Sequence, residues 1–170
     1  MSKIVNKPSI TDNYGCNVRR AAIEQRGKWA AAFYLEAREE GIDLEPIMRR
    51  AIHKIGVEGG QAEKKKYFND EKVTARGYAR YFTEKSLHET FEKSLDYDTE
   101  DEAVVTLHYC ALLNAWQKMG LSDEDCAKMC DIAMEGDRGI AEGAGLDFEL
   151  EGTLAEGCKC CTLRYKTRKD

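Results

Sequence analysis

The chain has 170 residues, with 26 Lys and Arg against 31 Asp and Glu, and a formal net charge of −5. This length predicts one domain, residues 1–170, whose core is large enough to need neither a disulfide nor a metal for stability. The acidic balance disfavours nucleic acid as a partner, because that affinity rests on Lys and Arg contacts to phosphates. No apolar run is long enough for a membrane helix, and the N-terminus lacks the apolar core of a signal peptide. We therefore expect a cytoplasmic protein without membrane contacts.

The first helix is predicted between residues 17 and 40. Its apolar residues recur at helical spacing and are Val18, Ala22, Trp29, Phe33 and Ala37. This stripe is typical of an amphipathic helix whose apolar face covers the rest of the domain, and Gly41 is a plausible C-terminal stop.

A second helix is expected to start at Asp43 and to end at Gly59 and Gly60. Together the two helices predict a helical hairpin. The next segment, residues 61–91, is helix-prone and rich in aromatic side chains, and the chain ends, 1–11 and 166–170, are expected to fray.

From residue 91 onward the sequence alternates between helical and strand periodicity. Strands are predicted at 91–97, 103–108, 146–151 and 160–165, a short helix at 111–119 and a long one at 122–143. The sequence therefore predicts an α+β fold, in which the mainly helical residues 1–90 pack on an antiparallel sheet of about four strands in two hairpins with intervening helices.

The long helix at 122–143 carries a carboxylate within its apolar stripe. The stripe consists of Cys126, Met129, Cys130, Ala133, Asp137, Ile140 and Ala141. An ionised carboxylate among apolar groups is costly, so Asp137 must be paired, hydrogen-bonded, protonated or facing a ligand cavity. A structural ion pair with Arg138 or Arg164, or a helix that ends at Gly136, would also explain it.

Seven cysteines, an odd number, occur without an export signal, which favours reduced thiols over a disulfide framework. Strand alternation turns Cys161 inward, where the sulfurs of Cys130, Cys126 and Cys110 are expected to converge with it. His108, two residues before Cys110, can face the same side and supply either a Cys/His pair or a metal ligand. The spacings do not match a zinc knuckle, so we expect no cofactor. If zinc were bound, Cys130, Cys161 and His108 would be its ligands.

The C-terminal part of the sequence resembles a known enzyme family. The resemblance rests on Cys110, Gly120, Cys126, Cys130, Asp137, the run Ala141-Glu142-Gly143, the run Thr153-Leu154-Ala155-Glu156-Gly157 and the run Cys161-Thr162-Leu163-Arg164-Tyr165. It is similar to the L-2-amino-thiazoline-4-carboxylic acid hydrolase family. The resemblance implies a small α+β domain related to the 4-vinyl reductase type, and hydrolytic opening of the thiazoline ring to N-carbamoyl-L-cysteine.

These observations give a hypothesis for the site. The catalytic candidates are Cys161, Asp137, Cys130, His108 and Cys110, and the substrate-binding candidates are Arg164, Arg138 and Cys126. Either a thiol attacks the C=N carbon, or a metal-bound water does so with Asp137 as base. The alternative is a small-molecule binding or sensor domain without turnover. The partner in each case is a small molecule, and a homo-oligomer is possible.

Overall fold

The computed structural model describes residues 2–85 and 88–169. In chain order its elements are α1 (Tyr14–Glu39), α2 (Glu45–Phe68), α3 (Ala75–Glu84), α4 (His88–Phe91), β1 (Lys93–Asp98), β2 (Glu102–Leu107), α5 (Ala111–Lys118), α6 (Asp123–Ala133), α7 (Glu135–Ala144), β3 (Leu146–Leu150), a 3-10 turn (Leu154–Glu156) and β4 (Cys161–Thr167). Residues 86 and 87, part of the segment predicted to be helix-prone, lie outside the described residues. Among the described helices, none is both long and apolar enough to cross a membrane. The α+β prediction is confirmed.

The four strands form one antiparallel sheet in the order β1-β2-β4-β3, and the two predicted hairpins are its two halves. Lys93 pairs with Leu107, and Leu107 pairs with Cys161, so these three residues form one row across three strands. Their inner face packs into the core, as the buried Leu163 and Tyr165 of β4 show. Because alternate residues point to opposite faces, Lys93 and Cys161 share the inner face at a separation of two strands, about 10 Å.

The helix α1 is present, but its predicted apolar face is wrong. Its buried residues are Cys16, Arg20, Ile23, Gly27 and Ala31, whereas Val18, Trp29 and Phe33 are exposed. The reason is close packing on α5, which small side chains allow: the indole N–H of Trp116 donates to the carbonyl of Gly27 at 3.1 Å. The helix therefore turns its small residues inward and its large ones to solvent.

The second helix does not end at Gly59 and Gly60 but continues to Phe68. The glycines serve close packing instead: a Cβ on Gly60 would lie 2.1 Å from the carbonyl oxygen of Ile140, and one on Gly139 would lie 2.3 Å from that of His53. Backbones of α2 and α7 therefore touch directly, which no larger residue would permit. Since α1 packs on α5 and α2 on α7, the two N-terminal helices make few contacts with each other, and the predicted hairpin is wrong.

The predicted helix at 122–143 consists of two helices, α6 and α7, which separate at Met134. Ser122 caps α6 as expected, because its hydroxyl accepts the N–H of Asp125 at 3.0 Å. Gly136 weakens a continuous helix at this point, and α7 aligns with α2. Asp137 consequently lies in the first turn of α7, where the exposed backbone N–H groups favour negative charge.

Both chain ends are held in place rather than frayed as predicted. The Asn6 amide donates to the Cys110 carbonyl at 2.8 Å and accepts the Cys110 N–H at 2.9 Å. The N–H groups of Ser9 and Ile10 donate to Glu92, at 2.7 and 2.9 Å. At the other end, β4 continues to Thr167, whose hydroxyl accepts the N–H of Ala75 at 2.8 Å. The N-terminal segment therefore fixes the backbone at Cys110.

Candidate functional site

Asp137 is the centre of the candidate site. The first turn of α7 places its carboxyl group in the interior, although part of its surface remains accessible. Burial raises its pKa to about 6, against the lowering effect of the positive charges of Lys93 and Arg26 and of its own backbone N–H. A carboxyl group in this range can both accept and return a proton near neutral pH.

Lys93 supplies the positive charge nearest in effect to Asp137. It is only 5% exposed, on the inner face of β1. Its Nζ donates to the carbonyl of Phe82 at 2.8 Å and lies 3.4 Å from the centre of the Phe82 ring. Burial lowers its pKa to about 7, whereas the charges of Asp137 and Glu63 raise it. Lys93 and Asp137 therefore form an interior acid and base whose pKa values lie close together.

Three thiols adjoin this pair. Cys161 is 5% exposed and Cys130 is 7% exposed, while Cys110 keeps partial accessibility. Burial raises the pKa of Cys161 to about 12, and the charges of Cys110 and Asp137 add to that rise. The pKa of Cys130 is also raised by burial, then by Cys110 and Cys161. For Cys110, burial outweighs the lowering effect of the first N–H groups of α5, which form no cap hydrogen bond with its side chain.

The interior thus brings together four of the predicted site residues, Asp137, Cys161, Cys130 and Cys110, since each acts electrostatically on at least one other. All three sulfurs are free of disulfides, as are the other four in the chain. The raised thiol pKa values mean that these groups are protonated at neutral pH. They are consequently poor nucleophiles unless a base removes the proton.

Two predicted residues lie on the opposite face of the sheet. His108 is exposed, and its Nε2 is 3.0 Å from the hydroxyl of Ser94. Arg164 forms ion pairs with Glu102 and, at 2.6 Å, with Glu151. The structure therefore does not bring either side chain to the thiols.

Arg138 and Cys126 also lie away from the Asp137 carboxyl group. Arg138 pairs with Asp131 at 2.8 Å and with Glu135 at 2.7 Å on the surface of α7. Cys126 is buried near the start of α6, and burial, with the charges of Asp123 and Asp125, raises its pKa to about 11. Within residues 2–85 and 88–169, no three His, Cys, Asp or Glu side chains are grouped as metal ligands. The ligand set Cys130, Cys161 and His108 is not assembled.

The sequence reasoning did not identify Lys93, Glu63 or the tyrosines beside them. Tyr78 donates to Glu63 at 3.3 Å, and its ring centre lies 5.0 Å from that of Tyr165. Burial raises the pKa of Glu63 and also that of Tyr165, where the charge of Asp137 contributes. One signal was available for Lys93, because it alternates with Leu95 on the apolar side of its strand.

Two open depressions on the surface lie away from this interior. One, of about 450 Å³, is lined by charged residues including Asp147 and Lys166 at the end of the sheet. The other, of about 320 Å³, is lined by Arg49, His53 and their neighbours on α2. Neither contains a residue of the Asp137 group.

Comparison with known structures supports the fold. The structure of trafficking protein particle complex subunit 3 from Naegleria fowleri, covalently bound to palmitic acid, superposes with a TM-score of 0.52 at 10% sequence identity. The match covers 86% of this chain and 97% of that chain. At this identity the likeness establishes a shared fold alone.

Comparison of sequences places the chain in a family. No curated protein matches it significantly. The model of the family described as L-2-amino-thiazoline-4-carboxylic acid hydrolase, however, matches residues 20–165, which include Asp137, Lys93 and all three thiols of the interior group. The chain belongs to the L-2-amino-thiazoline-4-carboxylic acid hydrolase family.

Proposed function

We propose that this protein is a hydrolase that opens a cyclic C=N bond in a small carboxylate-bearing substrate, with 2-amino-thiazoline-4-carboxylate as substrate and N-carbamoyl-L-cysteine as product. The family match supports the reaction class. The observation that carries the proposal is the interior pairing of Asp137 with Lys93, whose pKa values of about 6 and about 7 suit proton transfer at neutral pH.

Asp137 acts as the general base. It accepts a proton from water as the oxygen bonds to the ring carbon between nitrogen and sulfur. The carbon–sulfur bond then breaks, and the protonated Asp137 returns its proton to the departing sulfur, which leaves as a thiol. One water molecule is consumed, and the C=N carbon becomes the carbonyl carbon of the carbamoyl group. The partial accessibility of Asp137 is consistent with water reaching it.

Water is the nucleophile in this scheme, and the thiols line the site. With the pKa of Cys161 raised to about 12, only a very small fraction is thiolate at neutral pH. Cys110 and Cys130 are shifted in the same direction by burial. Neutral thiols leave Asp137 as the group that activates the attacking oxygen.

Lys93 binds the substrate carboxylate. The predicted anchors, Arg164 and Arg138, are engaged in ion pairs at the surface. Lys93 is on the inner face, in the same row as Cys161. Because its ammonium is desolvated, a carboxylate that enters the site gains more from it than from a solvated lysine.

The test is turnover of 2-amino-thiazoline-4-carboxylate, followed as release of N-carbamoyl-L-cysteine. Asp137→Asn should lower kcat by about 100-fold to 10,000-fold, the usual contribution of general base catalysis, while the protein remains folded. Asp147→Asn is the matched control, since this carboxylate pairs with Arg168 on the outer face, and it should keep the wild-type rate. A wild-type protein whose melting temperature rises with the compound, without product, would be a binding domain and would overturn the proposal.

A further inference from the structure

A stripe of large apolar side chains runs along the outer side of α1. Trp29 and Phe33 are each 62% exposed and make an edge-to-face contact with ring centres 6.4 Å apart. Val18 is 50% exposed on the same side. At 100° per residue this stripe lies opposite the face that α1 packs on α5. Exposed aromatic side chains grouped in this way mark a contact surface.

The charges beside the stripe differ between its two halves. Arg26 and Lys28 flank the middle of α1, whereas Glu39 and Glu40 stand at its C-terminal end. In the part of the chain that the structure describes, none of these four forms an ion pair within 4 Å. The surface is thus basic towards one end, acidic at the other, and apolar in between.

We propose that α1 is a dimerisation surface whose partner is a second copy of this chain, with the two α1 helices antiparallel and centred near Phe33. In this register Lys28 faces Glu39 of the second copy, and Arg26 faces Glu40. Each pair occurs twice, because a two-fold interface repeats every contact. A parallel arrangement would instead oppose like charges, so the charge pattern selects the antiparallel one.

The apolar residues fit the same register. Phe33 meets its own copy on the two-fold axis, and the rings of Trp29 pack on either side of it. Glu36, on the same face, lies near the indole of Trp29 of the second copy, whose N–H is a donor. Ile42, 58% exposed just beyond α1, extends the apolar surface towards Ala22 of the second copy. The proposed interface therefore covers the exposed aromatic pair that the isolated chain leaves in water.

The first experiment measures the mass of the full-length protein in solution. The wild type should sediment as a dimer of about 38 kDa, twice the chain mass of 19.2 kDa, and Trp29→Glu/Phe33→Glu should sediment as a monomer with an unchanged circular dichroism spectrum. Ile55→Glu is the control: this residue is 70% exposed on α2, outside the surface, so the dimer should persist. A monomeric wild type, including one that instead sediments with phosphatidylcholine vesicles, would overturn the proposal.

The second experiment tests the antiparallel register. Lys28→Glu should raise the dimer dissociation constant roughly tenfold, since two ion pairs become two repulsions. Glu39→Lys should do the same, and the double variant Lys28→Glu/Glu39→Lys should restore the wild-type value. A double variant that dissociates as readily as either single one would contradict this register.

Discussion

The two faces of the sheet use similar residues in opposite ways. On the outer face, Lys166 pairs with Glu149 at 2.6 Å and Arg168 with Asp147 at 2.8 Å, in contact with water. On the inner face, burial shifts the pKa values of Lys93 and Asp137 towards their neutral forms. The outer pairs each contribute at most about 1 kcal/mol, and the inner charges reduce stability. A lysine or carboxylate kept where it costs stability points to function, whereas the same residue on the outer face needs no such explanation.

The largest expected effect on stability comes from the glycines that hold α7, and with it Asp137, against α2. Gly60→Ala places a Cβ 2.1 Å from the carbonyl oxygen of Ile140 and 2.9 Å from the amide nitrogen of Ala144. Because backbone atoms cannot rotate away, we expect the free energy of unfolding in urea to fall by about 3 kcal/mol or more.

Gly59→Ala is the matched control, one residue away in the same helix. Its Cβ would lie 3.8 Å from Ile140, an ordinary contact. The change should be neutral or raise the free energy of unfolding by up to about 1 kcal/mol through helix propensity. Equal losses in both variants would show that the close contact between α2 and α7 is not what positions Asp137.

The next effect is on the pH dependence of stability and comes from Lys93. Its pKa is lowered from 10.5 to about 7 in the folded protein, so between these values the unfolded chain binds the extra proton. The free energy of unfolding should therefore rise with pH above about 7, by up to about 1.4 kcal/mol per pH unit. In Lys93→Met this contribution is absent, and the two urea-unfolding profiles should diverge accordingly.

The comparison is best made between about pH 7 and about pH 8.5. Glu63 and Asp137 face Lys93, and the raised pKa of Asp137, about 6, lies below this window. The buried thiols titrate in the unfolded chain near 9, above it. Lys166→Met, on the outer face, should keep the wild-type slope. Parallel profiles for the wild type and Lys93→Met would show that Lys93 is solvated.

Sequence periodicity predicted the sheet well because strand alternation depends only on local pattern. The same alternation already separated Cys161 from Arg164, which are three residues apart and so point to opposite faces. What it could not supply was the partner of each face. The packing of Gly27 on α5 and of Gly60 on α7 depends on distant segments, which is why the buried face of α1 and the end of α2 were wrong.

The site was predicted in part for the same reason. Asp137 and the three thiols belong to apolar stripes and could be expected inside, as the structure places them. Lys93 also alternates with apolar residues, but a long charged side chain at a strand end usually reaches solvent. Its burial depends on the carbonyl and ring of Phe82, which the sequence alone does not bring near.

A smaller effect is expected for Cys161 and separates the two possible nucleophiles. Its Sγ accepts the N–H of Leu154 at 3.3 Å in a buried position, so Cys161→Ala should lower the free energy of unfolding by about 1 to 2 kcal/mol. If water attacks the substrate, turnover of 2-amino-thiazoline-4-carboxylate should stay within about tenfold of the wild type. Complete loss of activity in a folded variant would instead identify Cys161 as the nucleophile.

The smallest effect is expected for Arg164, the counterpart of Lys93 on the outer face. Arg164→Gln removes ion pairs with Glu102 and Glu151, both partly exposed, and should change the free energy of unfolding by less than about 1 kcal/mol. Because β4 directs this side chain away from Cys161, KM for 2-amino-thiazoline-4-carboxylate should be unchanged, whereas Lys93→Met should raise it. An increase in KM for Arg164→Gln equal to that for Lys93→Met would move the substrate carboxylate to the outer face and remove the functional distinction between the two faces of the sheet.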